Sequence, residues 1–486
     1  MANNNFYDVI VVGAGPGGSS TSTFLAREGV NVLLLDKSRF PRDKVCGDFL
    51  APKAVYWIDM LGCINEVLDE CKGYTDSGDL YVNGEYVISS GFPEGEKFPG
   101  FGVQLERRTL DHILVKNAVS SGVTFKEGCH VKKIAAKKDR ICIEAIEDNA
   151  PVTYEAKMVI GSDGVNSVVS REIGNSIKGE SVAASIRAYY PDMIIDKSKV
   201  QIYFDKDFFP GYGWVFADDS GRANVGVGYV YDANFPMKPH LKEVFDDFVA
   251  KNLSHRLKKD AKPEKLGGGR ACFPKLEKTV AERVLLIGDA ANMTDPINGG
   301  GIHIALEGGH LAAFIAMNAL ERNDFSAENL NSFNEIQDDI SGLDRLTGSL
   351  ILSIARNPNL REAYLLALKM ICEMTRNSKE FRDMCGGIFT GVTPASACFS
   401  PLTIVNAIPV NPAFWIKLLN QSQNNGSGGV LKSGLRTLID LTRIISRMME
   451  NPTKNLNWGM DVISKASDLG IHSMKKGISA RHLFIQ

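Results

Sequence analysis

The chain has 486 residues, 44% hydrophobic and 23% charged, with a net charge of −2. That length exceeds what one core usually serves, so two or three subdomains are expected, and the lack of a basic surplus argues against a protein that holds nucleic-acid phosphates. Its nine cysteines are scattered with no C-x-x-C pair, which argues against a disulfide framework or a zinc site and predicts no metal.

The first residues, Met1-Ala2-Asn3-Asn4-Asn5, lack the form of a signal peptide, and no apolar run reaches transmembrane length. A cytoplasmic protein is expected. Tyr7 to Val12 is a short apolar run that reads as a buried parallel strand. It leads into Gly13-Ala14-Gly15-Pro16-Gly17-Gly18, then a helix from Ser19 to Glu28, then a second strand, Val30 to Leu35, that ends on Asp36. Strand, glycine turn, helix, strand and acid in that order form a dinucleotide-binding fingerprint. Gly13 makes the tight turn, Gly15 lets the backbone approach a pyrophosphate, and Gly18 lets the helix lie close on the strand. The helix start offers free N–H groups to phosphate, and Asp36 is placed to accept from ribose hydroxyls.

Lys37 to Pro52 carries Pro, Gly and charged residues and reads as a loop beside the nucleotide. Within it, Cys46 is either a reactive thiol or a small buried hydrophobe. Leu80 to Val82 and Glu85 to Ile88 form a hairpin about Asn83-Gly84. Arg107, ahead of a helix from Thr109 to Ser120, either reaches a phosphate or flavin edge or is simply solvated. Lys157 to Ile160 is a buried strand leading to Asp163-Gly164, where Asp163 either approaches the nucleotide or caps a helix. Ser181 to Tyr231 is all strand, and period two puts Tyr212, Trp214 and Phe216 on one face. They fill a core or line an apolar pocket. Arg283 to Ile287 is another buried strand, ending in Gly288-Asp289 and, further on, Pro296 and Gly299-Gly300-Gly301-Ile302 before a helix from Ile304 to Leu320. Beyond about residue 330 the chain is mainly helical. Residues 420–429 read as a linker, and Leu431 to Met449 as an amphipathic helix that lies on a membrane surface or packs on the protein.

Taken together, these motifs resemble the geranylgeranyl reductase family of flavoproteins, within the p-hydroxybenzoate-hydroxylase-like superfamily. The resemblance covers about residues 7–330. It rests on the Gly13–Gly18 turn with Asp36, on Phe40 to Asp48 as a Lys-x-Cys-Gly loop, on Asp163-Gly164 with Arg107 in an Arg-x-x-Leu-Asp setting, and on Gly288-Asp289 with Pro296 and Gly299–Gly301. Tyr212-Gly213-Trp214-Val215-Phe216 fits the family's aromatic motif.

The resemblance implies an α/β protein: a Rossmann-like FAD-binding domain at 1–178 with inserted strands, an antiparallel β-sheet substrate domain at 179–275, a return to the first domain at 276–330, and a helical C-terminal region at 331–486. It implies FAD held by Gly13, Ala14, Gly15, Pro16, Gly17, Gly18, Asp36, Lys37, Cys46, Gly47, Arg107, Asp163, Gly288, Asp289, Pro296, Gly299, Gly300, Gly301 and Ile302. It further implies a prenyl-chain pocket of Tyr212, Trp214 and Phe216, with Cys46 as proton donor, its thiol tuned by Lys44 and Arg42. The expected activity is saturation of C=C bonds in an apolar isoprenoid substrate, with NAD(P)H or a reduced electron-transfer protein as electron source, and with peripheral membrane contact. The superfamily also contains oxygen-using monooxygenases and halogenases, and a non-catalytic flavin-binding protein is a third reading. Lys53 lies near the place of the halogenase lysine but at poor spacing, so it is expected at the surface.

Overall fold

The computed structural model describes residues 6–71, 73–93, 97–176, 182–196, 198–231, 240–258, 261–273, 276, 278–376, 378–399 and 451–483. The expected amphipathic helix at 431–449 and the linker at 420–429 lie outside them.

Val9, Ile10 and Val11 are fully buried, as a strand covered on both faces requires. Their strand, Phe6–Val12, pairs in parallel with Val32–Leu35 on one side and Ala150–Gly161 on the other. The eight-stranded sheet runs in the order Val280–Ala281, Val284–Leu286, Ala150–Gly161, Phe6–Val12, Val32–Leu35, Thr124–Lys126. An antiparallel ribbon of Cys129–Ala136 and Ile141–Glu147 branches from Ala150–Gly161. Helix Pro16–Arg27 packs between the helices Ile302–Arg322 and Arg107–Ser120. Register decides what meets at the sheet's carboxyl edge. Val12 stands beside Leu35 and Gly161, and Gly161 beside Leu286. The segments that begin at Gly13, Asp36, Ser162 and Gly288 therefore leave the sheet side by side, where open α/β sheets bind ligands.

A second, seven-stranded sheet has the order Glu264–Cys272, Val182–Tyr190, Ala223–Val230, Gly213–Ala217, Lys199–Phe204, Ser77–Val82, Glu85–Gly91. All its pairs are antiparallel except Lys199–Phe204 with Ser77–Val82. The expected hairpin is thus present, and its strands belong to the second sheet rather than the first. In Gly213–Ala217 every residue is buried. Val215 and Ala217 pack with Phe245 and Phe248 of the helix Leu241–Phe248. Trp214 and Phe216 point the other way, into a separate aromatic cluster with Val200 and Ile202.

Helices Leu343–Ala355, Arg361–Thr375, Lys379–Thr390 and Pro452–Leu483 make up the described C-terminal region. Lys379–Thr390 lies against strand Glu85–Gly91, and Arg376 donates to the Val87 carbonyl at 2.5 Å. Among the described residues no helix is long and apolar enough to cross a membrane.

Candidate functional site

The turn after the first strand is shaped by what it lacks. Gly13 has φ +100°, and a Cβ on it would lie 2.4 Å from the Ser162 carbonyl oxygen. A Cβ on Gly18 would lie 1.9 Å from the Gly13 carbonyl oxygen. Only glycine serves at either position. Gly15 differs: a Cβ there would find nothing nearer than an Arg42 nitrogen at 3.8 Å, so its face is open to a ligand. Gly15 caps the helix without a side-chain hydrogen bond, and Pro16 sits in its first turn, which leaves helix-start N–H groups for an outside acceptor. Asp36 braces this turn. Its Oδ2 accepts from the Ala14 N–H at 2.9 Å and its Oδ1 from the Ser38 N–H at 2.8 Å.

The following loop is held by side chains drawn from the second sheet and from segments distant in sequence. Arg42 pairs with Asp111 at 2.8 Å, Lys44 with Asp289 at 3.0 Å, and Asp43 with the buried Arg187 at 3.0 Å. The Cys46 and Gly47 carbonyls accept from Asn224 Nδ2 at 2.8 Å and Gln104 Nε2 at 3.0 Å. Asp48, with φ +65°, is 1% exposed. Its carboxylate accepts from the Tyr189 hydroxyl, from Asn224 Nδ2 at 2.8 Å and from the Arg107 N–H at 3.3 Å. Burial nevertheless raises its pKa to about 6. Trp214 Nε1 donates to Asn224 Oδ1 at 2.9 Å, so Asn224 ties the indole to the Cys46 loop.

These elements enclose a cavity of about 260 Å³. Gly15, Pro16, Gly17, Cys46, Gly47 and Arg107 line one side of it, Gly288, Asp289, Pro296, Gly299, Gly301 and Ile302 another, and Tyr212, Trp214 and Phe216 the roof. The aromatic strand therefore faces a cavity rather than a closed core. An adjoining cavity of about 150 Å³ shares Cys46, Gly47, Tyr212 and Phe216 and adds Gly300, Phe49, Phe92, Ile202 and Phe389. Burial would raise the Asp289 carboxyl, but the Lys44 ammonium outweighs it and holds the group below its usual range.

Six expected residues stand back from the cavity. Gly13, Ala14, Gly18 and Asp36 build the turn from behind, and Lys37 is exposed. The Asp163 carboxylate is committed to a helix start, accepting from the Ser167 hydroxyl at 2.5 Å and the Val168 N–H at 2.6 Å. Its neighbours Ser162 and Gly164 line the cavity.

Three expectations need correction. Arg107 is 4% exposed rather than solvated, and its Nε and Nη2 are committed to Asp111, each at 2.8 Å. The Cys46 thiol is raised, not lowered: burial dominates, opposed first by Arg107 and only weakly by Lys44. Arg42, expected beside the thiol, is turned to Asp111 instead. Lys53 is not a surface lysine, because it is 17% exposed, pairs with Glu307 at 3.0 Å and lines a different cavity. Asp111 and Asp48 were written inside recognisable motifs, whereas Arg187, Tyr189 and Asn224 carry no signal in their own strands.

A parallel sheet with a glycine turn at its carboxyl edge, faced across a cavity by a second sheet bearing aromatics, has the arrangement of a dinucleotide-binding α/β protein. The family model described as FAD binding domain matches residues 6–323. A digeranylgeranylglycerophospholipid reductase of Methanococcoides burtonii is 30% identical over 352 residues, covering 68% of this chain and 79% of that one. The chain belongs to the geranylgeranyl reductase family of FAD-dependent oxidoreductases. In fold it is similar to a geranylgeranyl bacteriochlorophyll reductase-like protein of Thermoplasma acidophilum, with TM-score 0.64 and 23% identity, covering 86% of this chain and 99% of that one. It is similar also to a flavin-dependent brominase, Bmp2, with TM-score 0.67 and 17% identity, covering 86% and 100%. At these identities the structural likeness speaks to fold alone. The residues present suit FAD. The open face of Gly15, the uncapped helix start and the glycines at 299–301 leave backbone accessible where a pyrophosphate and a flat ring need it.

Proposed function

We propose that this oxidoreductase saturates an isolated carbon–carbon double bond in the isoprenoid chain of a lipid. One observation carries the reading: the cavity at Cys46 continues under Tyr212 and Phe216 into a chamber walled by Phe49, Phe92, Val200, Ile202 and Phe389. Such walls suit a chain with no polar handles along its length. The name of the Methanococcoides relative points to the same substrate class.

In this reading the Gly13–Gly18 turn holds the pyrophosphate, Asp36 with Lys37 the ribose, and Gly288, Asp289, Pro296 and Gly299–Ile302 the flavin half. Arg107 faces this half of the cavity while paired with Asp111, and Asp163 fixes its own loop from behind. When bound and reduced, FAD supplies the two electrons that saturation needs. NAD(P)H or a reduced electron-transfer protein replenishes them. Cys46 holds a proton at Sγ for the alkene carbon. Burial keeps it a thiol at neutral pH, the form that donates, and the Arg107 guanidinium beside it favours the thiolate left behind. The aromatic roof excludes water.

The test is anaerobic reoxidation of the pre-reduced holoenzyme by geranylgeraniol. Cys46→Ala, with FAD content confirmed, is expected to slow it at least tenfold, about 1.4 kcal/mol of barrier, and Cys46→Ser to retain part of the rate. Wild-type rates in both variants would move the proton source elsewhere. Reoxidation only by oxygen, with consumption of halide or phenol, would replace the reductase reading by the oxygen-using one.

A further inference from the structure

The chamber beyond Cys46, walled by aromatic and aliphatic side chains together with Asp48, Asn298, His303 and Thr390, also takes a wall from the C-terminal region. Helix Lys379–Thr390 stops at Gly391, whose φ of +77° turns the chain. Phe389 and Thr390, in its last turn, line the 150 Å³ chamber. Their neighbours Ile388, Gly391 and Val392 line another cavity, of about 360 Å³, which also takes in Lys53, Glu307 and Asp344. His303 lines both. The last turn of the helix, with His303, is thus a partition between two cavities.

The partition is held in place from the flavin side. The Phe389 carbonyl accepts from Asn298 Nδ2 at 2.9 Å, and the Asn298 carbonyl accepts from the Tyr212 hydroxyl. The Phe389 ring lies 6.2 Å from the Tyr212 ring and packs with the Val200, Ile202, Trp214 and Phe216 cluster. A Cβ on Gly391 would meet His303 Nε2 at 3.4 Å, so the turn fits closely against the imidazole. On this side the chamber is bounded by the Phe389 ring, whose carbonyl is tied to Asn298. The chamber is also small, well under the roughly 300–1,000 Å³ of ordinary small-molecule sites, so a chain that outgrows it in this direction meets Phe389.

We infer that Phe389 is the end wall of the substrate chamber and sets how far an isoprenoid chain extends past Cys46. This rests on the reductase reading. Truncating the ring joins the chamber to the larger cavity behind it, and longer chains gain room. Enlarging the ring shortens the chamber.

The experiment uses holoenzyme variants Phe389→Ala, Phe389→Leu and Phe389→Trp with geraniol, farnesol and geranylgeraniol. Reoxidation rates of the pre-reduced proteins are measured anaerobically, with FAD content and melting temperature checked. The ratio of geranylgeraniol to geraniol rates is expected to rise at least tenfold in Phe389→Ala, to rise less in Phe389→Leu, and to fall in Phe389→Trp. Unchanged ratios in folded variants would overturn the inference and leave the reductase reading standing. Phe389→Leu keeps the test alive should the alanine variant not fold. If no alcohol reoxidises even the wild type, the reductase reading fails, and the wall is then judged by binding. Dissociation constants of the same alcohols for the oxidised holoenzyme, measured by calorimetry, should show the same order of ratios, and equal ratios would overturn the wall.

Discussion

The Gly13–Gly18 turn and the Pro41–Asp48 loop face the same cavity, yet they are held by opposite means. In the turn, close backbone contacts leave no room for side chains at Gly13 and Gly18, and a single carboxylate, Asp36, braces it. In the loop, side chains do nearly everything: Arg42, Asp43, Lys44 and Asp48 each have a partner from a distant segment. Steric exclusion is local and tolerates no added atom. A polar web is distributed and tolerates no missing one. The first is therefore broken by adding a methyl group at Gly13 or Gly18, and the second by deleting a charge.

The largest expected effect tests the turn. Gly15→Val should abolish FAD occupancy while leaving the melting temperature of the apoprotein nearly unchanged, because the space it fills is open. Flavin absorbance of the purified variant together with a thermal scan checks this, and full occupancy would refute the assignment of the turn.

In the web, Asp111→Asn leaves Arg107 buried without its carboxylate. Breaking a buried pair in this way costs about 3–5 kcal/mol, and Arg42 is left with Asp36 alone, at 3.9 Å. Chemical denaturation should read that loss. Asp246→Asn, which breaks the exposed Lys242–Asp246 pair, should cost less than about 1 kcal/mol. Equal losses in the two variants would dissolve the distinction between buried web and surface pair.

A smaller effect depends on pH. Asp48 rises from 3.8 to about 6 in the folded protein, so between those values the native state binds more protons than the unfolded one. Raising pH through that window should therefore destabilise the wild type, by up to on the order of 3 kcal/mol. Asp48→Asn cannot titrate. Whatever its constant loss from altered hydrogen bonds, its unfolding free energy should gain on the wild type across that window. A pH-independent difference between the two would show that Asp48 titrates normally.

The same contrast explains what was legible in the sequence. The turn, its two strands and Asp36 lie within thirty-one contiguous residues, Phe6 to Asp36, and the positive φ of Gly13 and the contact of Gly18 with the Gly13 carbonyl are local, although Ser162 also presses on Gly13. The aromatic face of Tyr212, Trp214 and Phe216 follows from period two alone. The web is different. Asp48 meets Asn224 across 176 residues and Tyr189 across 141, and nothing in a strand's alternation says which loop will lie across it. Arg107 does line the cavity, but that it is buried and paired with Asp111 one helical turn away is not written in the motif. The C-terminal helices are legible as helices, but amphipathic spacing does not reveal that Phe389 lines a chamber with Cys46, Val200 and Tyr212.

The hairpin Ser77–Gly91 has a consequence for how the molecule comes into being. Its strand Ser77–Val82 lies parallel to Lys199–Phe204, so part of the second sheet emerges from the ribosome more than a hundred residues before its partner. Until that partner arrives, one side of the ribbon offers unpaired N–H and C=O groups, an invitation to pair with another chain. The two sheets are thus interleaved in time as well as in space. Cutting the gene near residue 178 would release a first half with an open edge and a second half missing two of its seven strands, and neither half is built to stand alone.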